Sequence, residues 1–236
     1  MIDRLIENIF EWAAGHADEG RYSPVAIVFH WTMAGLVAFQ LGWGWWMGRA
    51  APGAQMQAAY ELHYLIGVLM LVLVLGRVGW RLFAPAVIND ADKPGWESTA
   101  AHITHYVFYT CLFGLPLTGW AMVSATSRET DLTLLNLTPW PLLPLGELSH
   151  ATLWTIEAVA ESLHWGLALS LVAMIPIHVC AALKHHLIDR DDVLHGILPI
   201  LPQRPRRRTR WQRRWRALEK QVAFLTRPLR RRLRPR

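Results

Sequence analysis

Residues 163–183 read LHWGLALSLVAMIPIHVCAAL, and this stretch decides the architecture. It contains no Asp, Glu, Lys or Arg. As a helix rising 1.5 Å per residue it reaches about 30 Å, the thickness of a bilayer's hydrocarbon core. Two ionisable side chains interrupt it, His164 and His178. Fourteen residues separate them, which is about 21 Å along a helix axis and about 40° short of four full turns. Both imidazoles therefore lie on one side of the helix, one above the other. A helix that grips two groups stacked across a membrane needs this arrangement.

Three runs of the same kind lie upstream. Residues 24–47 carry no charge, open on Ser23-Pro24 and end in Trp43, Trp45 and Trp46. Residues 60–80 are interrupted by Arg77 near their end, and residues 100–125 contain Pro116, an expected kink. Of the 236 residues 53% are hydrophobic and 18% charged, and the 13 Trp exclude disorder for most of the chain. Only two Cys occur, Cys111 and Cys180, both inside apolar runs, which excludes a disulfide scaffold. The expected fold is all-α, an integral membrane four-helix bundle.

Basic residues set the direction of the spans. Of 24 Lys and Arg, 22 fall on the side of the two termini, and only Arg49 and Arg128 fall on the other. Positive residues stay inside, so both termini and the middle loop are expected in the cytoplasm. Residues 1–23 read as a leader in which Ile2, Leu5, Ile6, Ile9 and Phe10 recur at helical spacing, the pattern of a helix lying on the membrane surface. They lack the continuous apolar core and small-residue cleavage site of a signal peptide. Residues 24–184 form the four-span domain and 185–236 an Arg-rich tail. Between the third and fourth runs, residues 126–162 read as a compact Pro-containing loop with a short helix near 148–160.

The histidines carry the chemistry. An ionisable residue inside a membrane helix is costly and marks function, and every span has one: His30, His63, His102 with His105, and His164 with His178. His30 lies roughly 9 Å and His178 roughly 8 Å from the cytoplasmic ends of their helices. His63 and His164 sit within a turn of the external ends. Two layers result, with His102 and His105 competing for places in the cytoplasmic one. Hydrogen bonding between helices is the plain alternative for any single membrane histidine; two depth-matched pairs are harder to explain that way. Zinc wants three or four converging ligands, whereas b-type haem takes axial imidazoles. No Cys-x-x-Cys-His occurs, so haem would be held non-covalently.

The sequence resembles the bacterial cytochrome b561 family of four-helix, two-haem membrane cytochromes. The resemblance rests on Arg21-Tyr22-Ser23-Pro24 leading to His30-Trp31, on Leu62-His63 followed by Gly67, and on Arg77 and Arg81. It continues through Ala101-His102-Ile103-Thr104-His105 to Leu115-Pro116 and Gly119, then His164, His178, His185-His186 and Asp192. It covers about residues 21–200. The resemblance implies that His30 pairs with His178 and His63 with His164, each pair binding one haem b, and it removes His102 and His105 from the ligand set. It further implies single-electron transfer across a bacterial inner membrane between a small or protein donor and quinone. A related role is that of cytochrome b membrane-anchor subunit in a dehydrogenase or hydrogenase complex.

Arg77 is placed to bind a haem propionate, or else to reach lipid phosphates. His102 and His105 are candidates for proton exchange with quinone, since imidazole titrates near neutral pH. From Arg204 to Arg236 there are 14 Arg and Lys220 against one acid, Glu219. Such a tail suits anionic lipid or a redox partner protein, and nucleic acid is not expected. A haem-free transporter with a histidine proton relay is the remote rival; the sequence offers it only four spans and no charged pair at mid-membrane.

Overall fold

The computed structural model describes residues 22–49, 52–84, 95–126, 132–134, 138–140, 142–191 and 193–198. The leader up to residue 21 and the tail from residue 199 onward lie outside these residues; the first part of the expected tail forms the end of the fourth long helix and a short helix after it. Four long helices dominate: α1 (Pro24–Met47), α2 (Ala54–Phe83), α3 (Gly95–Thr126) and α4 (His150–Leu187). Each is long and apolar enough to cross a membrane. A short hairpin, β1 (Leu132–Leu134) with β2 (Thr138–Trp140), precedes α4, and the short helix α5 (Val193–Ile197) follows it.

Local chemistry starts and stops these helices. Ser23 caps α1, its Oγ accepting from the Ala26 N–H at 3.3 Å, with Pro24 in the first turn where its missing N–H costs nothing. The same Ser23 Oγ accepts from Trp80 Nε1 at 3.0 Å, which ties the start of α1 to the end of α2. Gly53, just before α2, has φ of 138°, a conformation open to glycine. Ser149 caps α4 by accepting from the Thr152 N–H.

Here the structure departs from the expected loop over residues 126–162. Its C-terminal part is helix from His150 onward and runs without a break into the fourth span, giving one helix of 38 residues. Glu161 and Ser162 end the apolar run, but neither breaks a helix, so the backbone continues where the hydrophobicity stops. The N-terminal part contains the antiparallel hairpin, with Leu132 opposite Trp140. Leu143 N–H donates to Ser124 Oγ at 3.0 Å and fixes this segment to the end of α3.

Side-chain contacts define an up-down-up-down order. Gln40 meets residue 63, Trp43 meets residue 59 and His30 meets Arg77, so α1 and α2 are antiparallel. Thr118 meets His164 and Lys184 meets Glu97, so α3 and α4 are antiparallel too. Met33, Met70 and Val74 form a buried cluster with Leu112 and Phe113 packed on it. The outward surface carries Val28, Leu69, Val72, Leu75, Leu169 and Val172 exposed. A lipid-facing surface has this character, and association within lipid then rests on close packing. Gly114 provides it between α3 and α4: a Cβ there would lie 2.6 Å from Leu167 Cδ1.

Candidate functional site

Four helices bring the histidines into two layers. The distal layer, far from the chain's entry into and exit from the bundle, holds His63 of α2 and His164 of α4 with ring centres 6.1 Å apart. The terminal layer holds His30 of α1 and His178 of α4 at 6.4 Å. Thus α4 meets α2 at one end and α1 at the other, each through a histidine pair. Between the layers lies the Met33–Met70–Val74 cluster.

Each distal histidine is seated by its neighbours. Gly44 of α1 lies against His63, where an added Cβ would be 3.6 Å from Cε1; Gly119 of α3 lies against His164, with 3.5 Å to the same ring atom. Gln40 Nε2 donates to the His63 carbonyl at 2.9 Å and Trp43 Nε1 to the Ala59 carbonyl at 2.9 Å. Side chains of α1 therefore hold two carbonyls one turn apart on α2 and fix the height and rotation of His63. His164 Nδ1 lies 2.9 Å from Thr118 Oγ1, whose hydroxyl is 2.7 Å from the Gly114 carbonyl. With the hydroxyl proton on that carbonyl, Oγ1 would accept from Nδ1–H and leave Nε2 of His164 as its lone-pair nitrogen. His63 Nδ1 is buried with no hydrogen-bond partner.

The terminal layer is more crowded. His105 of α3 lies 6.3 Å from His178, as close as His30, and Phe108 stacks edge-on to His178 at 5.2 Å. His105 is exposed by residue, whereas His30 and His178 are half-buried. His102 points elsewhere: it is exposed, and its Nδ1 lies 2.7 Å from the Ser98 carbonyl one turn back on its own helix. Arg77 reaches into this layer, with Nη2 3.4 Å from His30 Nδ1 and Nε 3.4 Å from the Tyr109 hydroxyl. Both contacts are at the long limit for a hydrogen bond.

Sequence comparison adds to this geometry. The family model described as prokaryotic cytochrome b561 matches residues 21–199. The chain belongs to the prokaryotic cytochrome b561 family. It is 30% identical over 182 residues to cytochrome b561 homolog 2 of Escherichia coli (strain K12), covering 75% of this chain and 91% of that one. It is 26% identical over 185 residues to cytochrome b561 homolog 1 of the same organism, covering 76% and 97%. A Yersinia pestis protein named a probable superoxide oxidase is 25% identical over 180 residues, covering 76% and 96%. Membership makes this a bacterial membrane protein and a cytochrome of the b type.

The residues present fit such a group. Imidazoles on opposite sides of one metal atom, each bound at about 2 Å, bring their ring centres to about 6 Å, close to both separations seen here. The donors are imidazoles alone, the usual axial set for b-type haem. Gly67 lies one turn after His63 on the same helical face, and a Cβ there would meet nothing within 4 Å. That open space suits a flat macrocycle beside the ligand.

Thr118, Gln40, Gly44 and Tyr109 escaped the reading of the sequence. Gln40 had a legible signal, being the lone carboxamide among the 24 residues of α1. Thr118 had none, since it sits 46 residues from the histidine it orients.

Proposed function

We infer that the chain holds two b haems, one between His63 and His164 and one between His30 and His178, and passes single electrons between a donor and quinone across the bacterial inner membrane. The observation that carries this reading is the pair of histidines on one face of α4, with His63 opposite His164 and His30 opposite His178 at nearly the same separation, and His105 as a second neighbour of His178. Bound haem supplies one-electron redox chemistry; the protein holds its groups in line and sets their surroundings.

The tautomers support it. Thr118 leaves Nε2 of His164 free to ligate. At His30 the proton position matters, because an arginine only donates and its contact with Nδ1 requires a lone pair there. Ligation through Nε2 puts the proton on Nδ1 and turns the Arg77 guanidinium toward another acceptor. A haem propionate is such an acceptor, and contacts of 3.4 Å on both sides leave the guanidinium free to reach one. His105 then stands beside the terminal group as a proton-exchanging residue.

The test is a reduced-minus-oxidised visible spectrum of the detergent-purified protein with a quantitative haem assay. Two haems per chain are expected, with His164→Ala and His178→Ala each losing one. Unchanged spectra in both variants would overturn the ligand assignment. The name of the Yersinia pestis relative favours superoxide as the small donor; superoxide pulses should then reduce the cytochrome directly, with release of dioxygen. If electrons enter only when a second subunit co-purifies, the chain is a membrane-anchor cytochrome b.

A further inference from the structure

Beyond the four spans, α4 ends in His185-His186, and a turn through Arg190, with φ of 54°, leads to α5. This short helix brings His195 back against His186, with ring centres 5.0 Å apart and planes tilted by 46°. His195 is only 7% exposed. The Nδ1 atoms of both residues are buried, and neither has a hydrogen-bond partner.

Other groups hold α5 in place. Trp31 Nε1 donates to the Ile197 carbonyl at 2.8 Å, and Gly196 packs on the Tyr22 ring so closely that an added Cβ would be 3.3 Å from it. The two imidazoles are thus brought together by a scaffold to which their buried nitrogens contribute no bond. Buried polar atoms in folded proteins find a partner, and where side chains supply none, water or an ion does.

The ring separation distinguishes this pair from those of the two layers. Imidazoles at neighbouring corners of a tetrahedron around one ion bring their centres to about 5 Å, against about 6 Å when they lie opposite. We propose that His186 and His195 form a binding site for a divalent transition metal ion that prefers imidazole, Zn²⁺ or Cu²⁺, with water completing the coordination. The carboxylates nearby do not compete for the ion. Glu97 and Asp189 each lie 2.8 Å from Lys184 Nζ, and His185 Nδ1 faces Asp189 at 3.1 Å and Asp191 at 2.8 Å. Those carboxylates already have partners in Lys184 and His185.

The test uses untagged, full-length, haem-loaded protein dialysed against Zn²⁺ or Cu²⁺ alone, with bound metal counted by elemental analysis. His195→Asn and His186→Asn should each bind one equivalent less than the wild type, with unchanged haem content because neither residue is a haem ligand. Electron paramagnetic resonance of the Cu²⁺ form should show two nitrogen donors in the wild type and lose that signature in either variant. Equal metal counts in wild type and both variants would overturn the site and assign the buried nitrogens to water. Should His195→Asn fail to fold, His186→Asn, at the half-buried end of α4, decides alone.

Discussion

A neutral histidine that ligates through one ring nitrogen carries a proton on the other, and the two distal histidines, as proposed ligands, differ in what that nitrogen meets. His164 gives its Nδ1 proton to Thr118, while His63 Nδ1 has no partner and the residue is held through its backbone by Gln40. Thr118 therefore bears most of the orienting role. Thr118→Val removes one of two partners of His164, leaving it the Leu115 carbonyl, a loss of about 0.5–1.5 kcal/mol. On the proposed assignment the expected outcome is weaker retention of a haem in the distal layer and a changed midpoint potential for it alone, read by redox titration. Thr118→Ser keeps the hydroxyl and should restore both; equal behaviour of the Val and Ser variants would remove Thr118 from this role.

Among the elements, α4 shows what a sequence reveals about a membrane helix and what it hides. The apolar run marks where lipid begins and ends, so the span and the spacing of His164 and His178 are legible. The helix itself starts at His150, because polar residues such as Glu157 and Glu161 are good helix formers and Ser149 supplies the cap. Hydrophobicity thus locates the bilayer, and capping locates the helix. Ligand candidates were legible as costly residues in apolar runs; the residues that seat them were not, because a Gly or Thr costs nothing there. Packing carries its own prediction. At Gly114 an alanine is accommodated if the end of Leu167 shifts, whereas Gly114→Val overpacks the α3–α4 contact by about 1–3 kcal/mol. The valine variant should melt at lower temperature and lose haem, with the alanine variant close to wild type in a thermal scan followed by absorbance.

For the molecule as a whole, the distribution of charge is the strongest directional signal. Twenty-two of the 24 basic residues lie on one side of the four spans, which leads us to expect both termini in the cytoplasm. Trypsin added to inverted membrane vesicles should remove the Arg-rich tail, while right-side-out vesicles should protect it. Cleavage in the opposite preparation would reverse the orientation and, with it, the side from which a donor approaches the distal layer.

The cluster of Met33, Met70 and Val74 between the layers has an electrical consequence. It is apolar and closely packed, with Leu112 and Phe113 against it, and among the described side chains in and around it only Tyr109 is titratable, its hydroxyl accepting from Arg77. With an electron carrier in each layer, a charge that crosses this plug does so uncompensated and works with or against the voltage across the bilayer. A full crossing is worth about 2.3 kcal/mol per 100 mV, and the plug accounts for the share of the field that falls across it. If each layer holds a haem, as proposed, the balance of reduction between them is set by the energised state of the cell as well as by their ligands.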